Sequence, residues 1–386
     1  MKNFYLPLNI GMRLMNRSQY LAHVNRWVVK MGSAMITRGG ETLDTEALAD
    51  WVAQMAALHK DGKQFVVVSS GAIAVGMQIL GWQKRPTELS ELQTAAAVGQ
   101  MRLAGAWQEA FATHNIRVAQ VLLTHDDAAD RRRYLNIRSA LQTMCRLGIV
   151  PIINENDTVS FEEIRFGDND NLGAMVANIT TAGAYLILTD QRGMYNKNPR
   201  EHADAQFLEQ VDANDPTLPA MAGKTGGVLG SGGMYTKVLA AQKAARSGTH
   251  TVLAYGREPE VIRQAVGAEN IGTLFLAPAD SQQARKQWLG SQLQVQGTLY
   301  LDDGAVQALA QSHKSLLPIG VRRVEGEFAR GELLRCCNMA GEELARGLSN
   351  YNSEDCRILC GKHSQEVARL LVHGETLIHR DNLVLV

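Results

Sequence analysis

From Arg26 onward, short apolar runs rich in β-branched residues alternate with stretches of helical period. RWVVK ending at Lys30, FVVVSS (Phe65–Ser70), VAQVLLT (Val118–Thr124), IVPIINE (Ile149–Glu155), YLILTD (Tyr185–Asp190) and TVLAY (Thr251–Tyr255) read as strands. Their length is right for strands and too short for buried helices. Asp44–Lys60 places Leu48, Trp51, Met55 and Leu58 on one face, which predicts a helix; residues 91–114, 131–147, 169–182 and 235–247 read the same way. Strands alternating with helices predict an α/β domain over residues 27–275. It is an αβα sandwich whose mainly parallel sheet is covered on both faces. Such a sheet binds ligands at the carboxyl ends of its strands.

The alternation stops near residue 276. A polar, Gln-rich stretch, residues 276–295, reads as a linker, and residues 296–386 break into short segments such as GTLYLDDGA and GELLRCCN separated by turn residues. That pattern predicts a small β-rich domain. Residues 1–26 read as an N-terminal extension without the apolar core or cleavage site of a secretory signal.

Composition narrows the function. Lys and Arg number 39, as do Asp and Glu, so a generally polybasic nucleic-acid or membrane-surface binder is excluded. With 45% apolar and 20% charged residues the chain can bury a full core, and no apolar run reaches membrane-spanning length. The five cysteines read as reduced thiols of a cytoplasmic protein. Cys356 and Cys360 have a metal-like spacing but no complementary pair.

The unusual residues sit at the strand ends. Lys30 precedes Met31-Gly32-Ser33; a lysine before a Gly-Ser turn can meet a phosphate while backbone N–H groups approach it, or can simply face solvent. Ser69-Ser70-Gly71-Ala72 opens a helix, as an anion site or as a cap. Asn154–Asp157 and Gly167–Asn171 concentrate carboxylates and amides, which suits an ammonium ligand, orientation of lysines, or turn chemistry; EF-hand spacing is missing. Thr189-Asp190 closes another strand, and Gly230–Lys237 is a glycine-rich loop entering a helix that carries a lysine. Gly223-Lys224-Thr225 imitates the end of a Walker A loop, but its first glycine position holds Leu218.

Taken together, VVKMGS (Val28–Ser33), VVVSSGAIAVG (Val66–Gly76), PIINENDTV (Pro151–Val159), GDNDNL (Gly167–Leu172), LTDQRGMY (Leu188–Tyr195) and GSGGMYTK (Gly230–Lys237) resemble the amino-acid kinase family in type and order. The resemblance is strongest to the branch that phosphorylates the side-chain carboxylate of glutamate. LLPIGV, GEFARGE and GLSNYNS resemble a PUA domain. The resemblance implies that Lys30 and Lys237 are the catalytic lysines and that Asp170 organises them. It implies that Ser70, Asp157 and Asn169 contact glutamate. ATP then lies against Lys30, Thr189, Asp190 and the loop Ser231, Gly232, Gly233, Met234, Tyr235, Thr236 and Lys237. Mg²⁺ is implied to arrive with the nucleotide, with no metal ligand from the protein.

It further implies the first step of proline synthesis, feedback inhibition by proline, a homo-oligomer (dimer or tetramer), and a functional link to a glutamyl phosphate reductase. Two positions depart from the family pattern: the first turn reads Gly32-Ser33-Ala34 where Gly-Thr-Ser is common, and Tyr235 stands where a small residue is common. The alternatives are another carboxylate or carbamate kinase, or an additional RNA-binding role for the PUA-like segment. That segment holds ten Lys and Arg against twelve Asp and Glu, a poor balance for phosphate contacts. A glutamate side chain is ionised at neutral pH, so its attack on phosphorus needs no general base. The candidate motifs, accordingly, contain no histidine.

Overall fold

A computed structural model describes residues 16–39, 42–160, 169–223, 233–278, 295–312, 314–370 and 375–385. The chain divides into two compact units, 1–124 with 141–279, and 125–140 with 280–386. In chain order the strands of the first unit are β1 (Arg26–Met31), β2 (Thr37–Arg38), β3 (Thr42–Leu43), β4 (Gln64–Ser69), β5 (Val118–Leu123), β6 (Val150–Glu155), β7 (Ala184–Thr189), β8 (Gln210–Asp212), β9 (His250–Tyr255) and β10 (Thr273–Leu276). Eight of them form one sheet in the order β5-β6-β4-β1-β7-β9-β10-β8. Every pairing in it is parallel except β9 with β10.

The central strands are apolar on both faces, with Val28, Val29, Val66, Val67, Leu186 and Ile187 all fully buried. This is what a parallel sheet sandwiched between helices requires. Register then determines where the chemistry lies. Met31 pairs with Ser69 on one side and Leu188 on the other, so the carboxyl ends of β4, β1 and β7 emerge side by side. The turns after Lys30, Ser70 and Thr189 therefore share one edge at the middle of the sheet.

Two helix contacts need glycine. The helices Ala72–Ile79 and Leu89–Ala112 touch backbone to backbone. A Cβ on Gly76 would lie 1.7 Å from the Ala95 carbonyl oxygen, and one on Gly99 1.9 Å from that of Ala72. A methyl group at either place forces the helices apart.

Residues 16–25 pack onto this unit. Leu21 is buried, and the Arg17 guanidinium donates to the carbonyls of Glu209, Glu269, Ile271 and Gly272 around β8 and β10.

The second unit carries a five-stranded sheet in the order β12-β11-β13-β14-β15. Its strands are β11 (Val295–Leu301), β12 (Val321–Glu325), β13 (Leu333–Cys337), β14 (Glu343–Leu348) and β15 (Leu383–Leu385). Leu299, Leu334, Tyr351, Leu359 and Ile378 fill its core. Within its C-terminal part three helices, Asp303–Ser312, Ser353–Leu359 and Ser364–Leu370, accompany the sheet; the turn-rich sequence pattern did not predict them. All five cysteines are free thiols. No described helix is long and apolar enough to cross a membrane.

Candidate active site

Lys30, one residue before the end of β1, has its side chain almost fully buried, an expensive place for an ammonium without a partner. The partner comes from the helix Asn169–Thr180: Lys30 Nζ donates to Asp170 Oδ1 at 2.6 Å. The other oxygen, Oδ2, accepts from Lys237 Nζ at 3.1 Å and from Thr236 Oγ at 2.9 Å. Both residues belong to the first turn of the helix Met234–Ala245. One carboxylate with no solvent exposure thus bridges two ammonium groups, one from a central strand and one from the start of a helix.

Local structure holds that carboxylate in place. Asp170 occupies the first turn of its helix, where the helix dipole favours negative charge. The Tyr185 hydroxyl, rising from β7, donates to the Asp170 carbonyl at 2.9 Å. This contact needs glycine at position 173, because a Cβ there would lie 2.3 Å from the Tyr185 oxygen. Burial alone pushes the Asp170 carboxyl up. The charges of Lys30 and Lys237, with hydrogen bonds from Lys30 and Thr236, outweigh it and hold the group well below the usual carboxylate range. Burial lowers the Lys237 ammonium, Asp170 opposes that effect, and the Lys30 charge adds to it. With both lysines protonated, the trio presents one net positive charge.

Two cavities adjoin the trio: Lys30 and Lys237 line the smaller and Lys237 also lines the larger. The smaller, of about 290 Å³, is lined by Lys30, Ser70, Arg85, Asp157, Thr189 and Lys237 among others. The larger, of about 530 Å³, runs from Thr189, Asp190 and Lys237 along the loop Asn196–Arg200 to Gly233 and Met234. Thr189, Asp190 and Lys237 line both.

In the smaller cavity Asp157 is buried, and its Oδ1 has no hydrogen-bond partner among the described residues. Burial, then the charge of Glu155, push its carboxyl up to about 7, with Arg85 opposing. Ser70 Oγ accepts from Asn169 Nδ2 at 2.7 Å. Anion-binding and cation-binding groups therefore face one small space, the complement of a zwitterion.

Lys30, Asp170 and Lys237 converge, as do Ser70, Asp157 and Asn169. Thr189, Asp190, Gly233 and Met234 line the larger cavity, and Thr236 bonds to Asp170. Tyr235 is 40% exposed and lines neither cavity. Ser231 and Gly232 lie outside the described residues, as does Gly167-Asp168. The sequence reading missed Arg85, the loop Asn196–Arg200 and Ala220–Gly223. For the loop, the run NKNPR directly after the LTDQRGMY strand end was an available signal. Among the described residues no group of three or more carboxylates, histidines and cysteines is arranged to hold a metal ion.

Two buried lysines sharing one carboxylate beside two cavities, at the carboxyl edge of a parallel sheet, suit the charge stabilisation of a phosphotransferase. Residues 25–254 match the amino acid kinase family and residues 297–371 the PUA domain. The chain belongs to the amino acid kinase family. It is 55% identical over 367 residues to a glutamate 5-kinase of Ralstonia nicotianae, covering 95% of this chain and 98% of the relative. It is 54% identical over 373 residues to that of Halorhodospira halophila, covering 96% and 99%. It is 54% identical over 363 residues to that of Pseudomonas syringae pv. tomato, covering 94% and 98%.

Proposed function

We propose that this chain transfers the γ-phosphoryl group of ATP to the γ-carboxylate of L-glutamate, giving L-glutamyl 5-phosphate and ADP. The observation that carries this reading is the Lys30–Asp170–Lys237 bridge beside the two cavities. Near-full-length likeness to proteins named glutamate 5-kinase supports glutamate as the acceptor.

ATP occupies the larger cavity, held by Thr189, Asp190 and the start of the helix Met234–Ala245. Glutamate occupies the smaller one. Asp157, with Asn169, takes its ammonium group, and the Ser70 hydroxyl takes a carboxylate. A γ-carboxylate oxygen forms the new bond to phosphorus while the bond to the β–γ bridging oxygen breaks. No proton has to move. The barrier is the approach of one anion to another, so positioning and charge stabilisation dominate. Lys30 neutralises the transferring phosphoryl group, Lys237 neutralises the leaving side, and Asp170 keeps both nitrogens in place. Mg²⁺ prefers phosphate oxygens and water to a protein cage, so it enters with the nucleotide and supplies further charge neutralisation there.

The product is an acyl phosphate, open to hydrolysis, which favours prompt use by a reductase in proline synthesis. Family resemblance supports proline as feedback inhibitor and a dimeric or tetrameric homo-oligomer. The five free thiols fit a cytoplasmic enzyme.

The deciding assay is ADP release with ATP and Mg²⁺, with the acyl product trapped as hydroxamate. Glutamate is compared with N-acetylglutamate, aspartate and carbamate, with and without proline. Glutamate is expected to give the highest kcat/KM. Preference for another acceptor overturns the assignment.

Asp157 adds a pH prediction. Binding an ammonium group requires the ionised carboxylate, and burial with the Glu155 charge pushes this carboxyl up to about 7. The kcat/KM for glutamate is therefore expected to rise with pH through neutrality and then level off. Asp157→Asn removes that limb and raises the glutamate KM at least about tenfold. An unchanged pH profile in the folded variant contradicts this role.

A further inference from the structure

Ser70 is the end of a chain of buried side chains that begins on another helix. Gln100, in the helix Leu89–Ala112, accepts from Asn154 through Oε1, with Asn154 Nδ2 at 2.8 Å. Asn154, at the end of β6, turns its Oδ1 to Asn169 Nδ2, also 2.8 Å away. The same Asn169 nitrogen donates to Ser70 Oγ at 2.7 Å. All four residues are buried: Gln100 is 8% exposed, Asn154 2%, Asn169 1% and Ser70 7%.

Each amide in such a chain has a donating and an accepting end, so once Gln100 presents its Oε1 to Asn154, as here, every later direction follows. With an acceptor at Gln100, Asn154 presents oxygen, Asn169 presents nitrogen, and Ser70 receives a hydrogen bond. The Ser70 hydroxyl then keeps its own hydrogen to donate. Reversed, the chain would consume that hydrogen on Asn169 and turn only lone pairs toward the cavity, which repels a carboxylate.

We propose that Gln100 is a positioning residue for substrate binding: it sets the direction of the Asn154–Asn169–Ser70 relay, and so makes Ser70 a hydrogen-bond donor to the carboxylate of the acceptor. The inference rests on glutamate being that acceptor. Gln100 itself touches no substrate. Gly99, the residue before it, packs this helix closely against the helix Ala72–Ile79.

The test is steady-state kinetics on the full chain, with glutamate and ATP varied separately and thermal melts alongside. Gln100→Met keeps volume and helix propensity but removes the acceptor, leaving Asn154 free to turn over. It is expected to raise the glutamate KM about tenfold, with the ATP KM close to wild type and the melting temperature lowered by a few degrees for the unsatisfied Asn154 amide. Gln100→Glu keeps an acceptor oxygen in either protonation state and is expected to hold the glutamate KM within about threefold of wild type. A wild-type glutamate KM in Gln100→Met, or equal rises in the KM of both substrates, overturns the proposal. Should the methionine variant not fold, Gln100→Glu decides: a tenfold rise in its glutamate KM also overturns it. A wild-type chain that does not phosphorylate glutamate overturns the assigned reaction, and the relay's role with it. That outcome is read in the unmutated protein, separately from the variants.

Discussion

Asp170→Asn is expected to abolish turnover, by about 10³-fold or more, and to cost about 3–5 kcal/mol of stability, the range for breaking a buried ion pair by removing one partner. Asp170 has no solvent exposure and accepts from three donors, the Lys30 and Lys237 ammoniums and the Thr236 hydroxyl. An asparagine keeps the shape but loses the charge, and its NH₂ faces N–H donors where an acceptor is needed. Two buried ammonium groups then repel each other across a neutral amide. The wild-type carboxyl lies well below the usual carboxylate range, because the two lysines overcome its burial. Its contribution to stability is therefore present at pH above the unfolded value of about 3.9 and disappears as pH falls toward the folded value; the Asn variant should lack that acid limb. Urea denaturation across pH, with ADP release at neutral pH, checks both halves. A variant with wild-type stability and turnover would show that the bridge is incidental.

Lys237→Met is the complementary experiment, with a different expected signature. Removing one lysine leaves Lys30 and Asp170 as a neutral buried pair, so the fold should survive with melting close to wild type. Turnover should fall by about 10²–10³, the scale for losing one preorganised charge at a transition state. The loss should appear in kcat more than in the glutamate KM, since Lys237 lines both cavities rather than the acceptor end alone. The contrast between the variants is the informative part. Loss of the acid unbalances the site, while loss of one base disarms it. Steady-state kinetics on a variant shown to be folded decides. Near-normal kcat rules out the lysine role.

Much of this site was legible from strand ends. Lys30, Ser70 and Thr189 each follow an apolar run, and parallel register then places them side by side without further information. Asp170 and Lys237 were legible as charged residues at helix starts, though their meeting came from family resemblance rather than from spacing. Gln100 was not legible. It is a polar residue on a largely apolar helix, and its meaning depends on an asparagine 54 positions away. Arg85 was missed because a loop arginine carries no local sign of what it faces. In the sheet, β8 is three residues long and β10 four, and β10 runs antiparallel to β9. Elements that short are set by tertiary pairing rather than periodicity. The turn-rich C-terminal pattern showed a β domain but concealed its helices, which are seven to ten residues long.

The central claim is that the paired ammonium groups act on the transferring phosphoryl group rather than merely holding nucleotide. Inhibition by ADP with aluminium fluoride and glutamate, a mimic of the planar phosphoryl in flight, tests it in wild type and in Lys237→Met. The account predicts tight inhibition of the wild type and at least about a hundredfold weakening in the variant, with affinity for ADP alone changed much less. Equal weakening for ADP alone and for the mimic, or none for either, would contradict it.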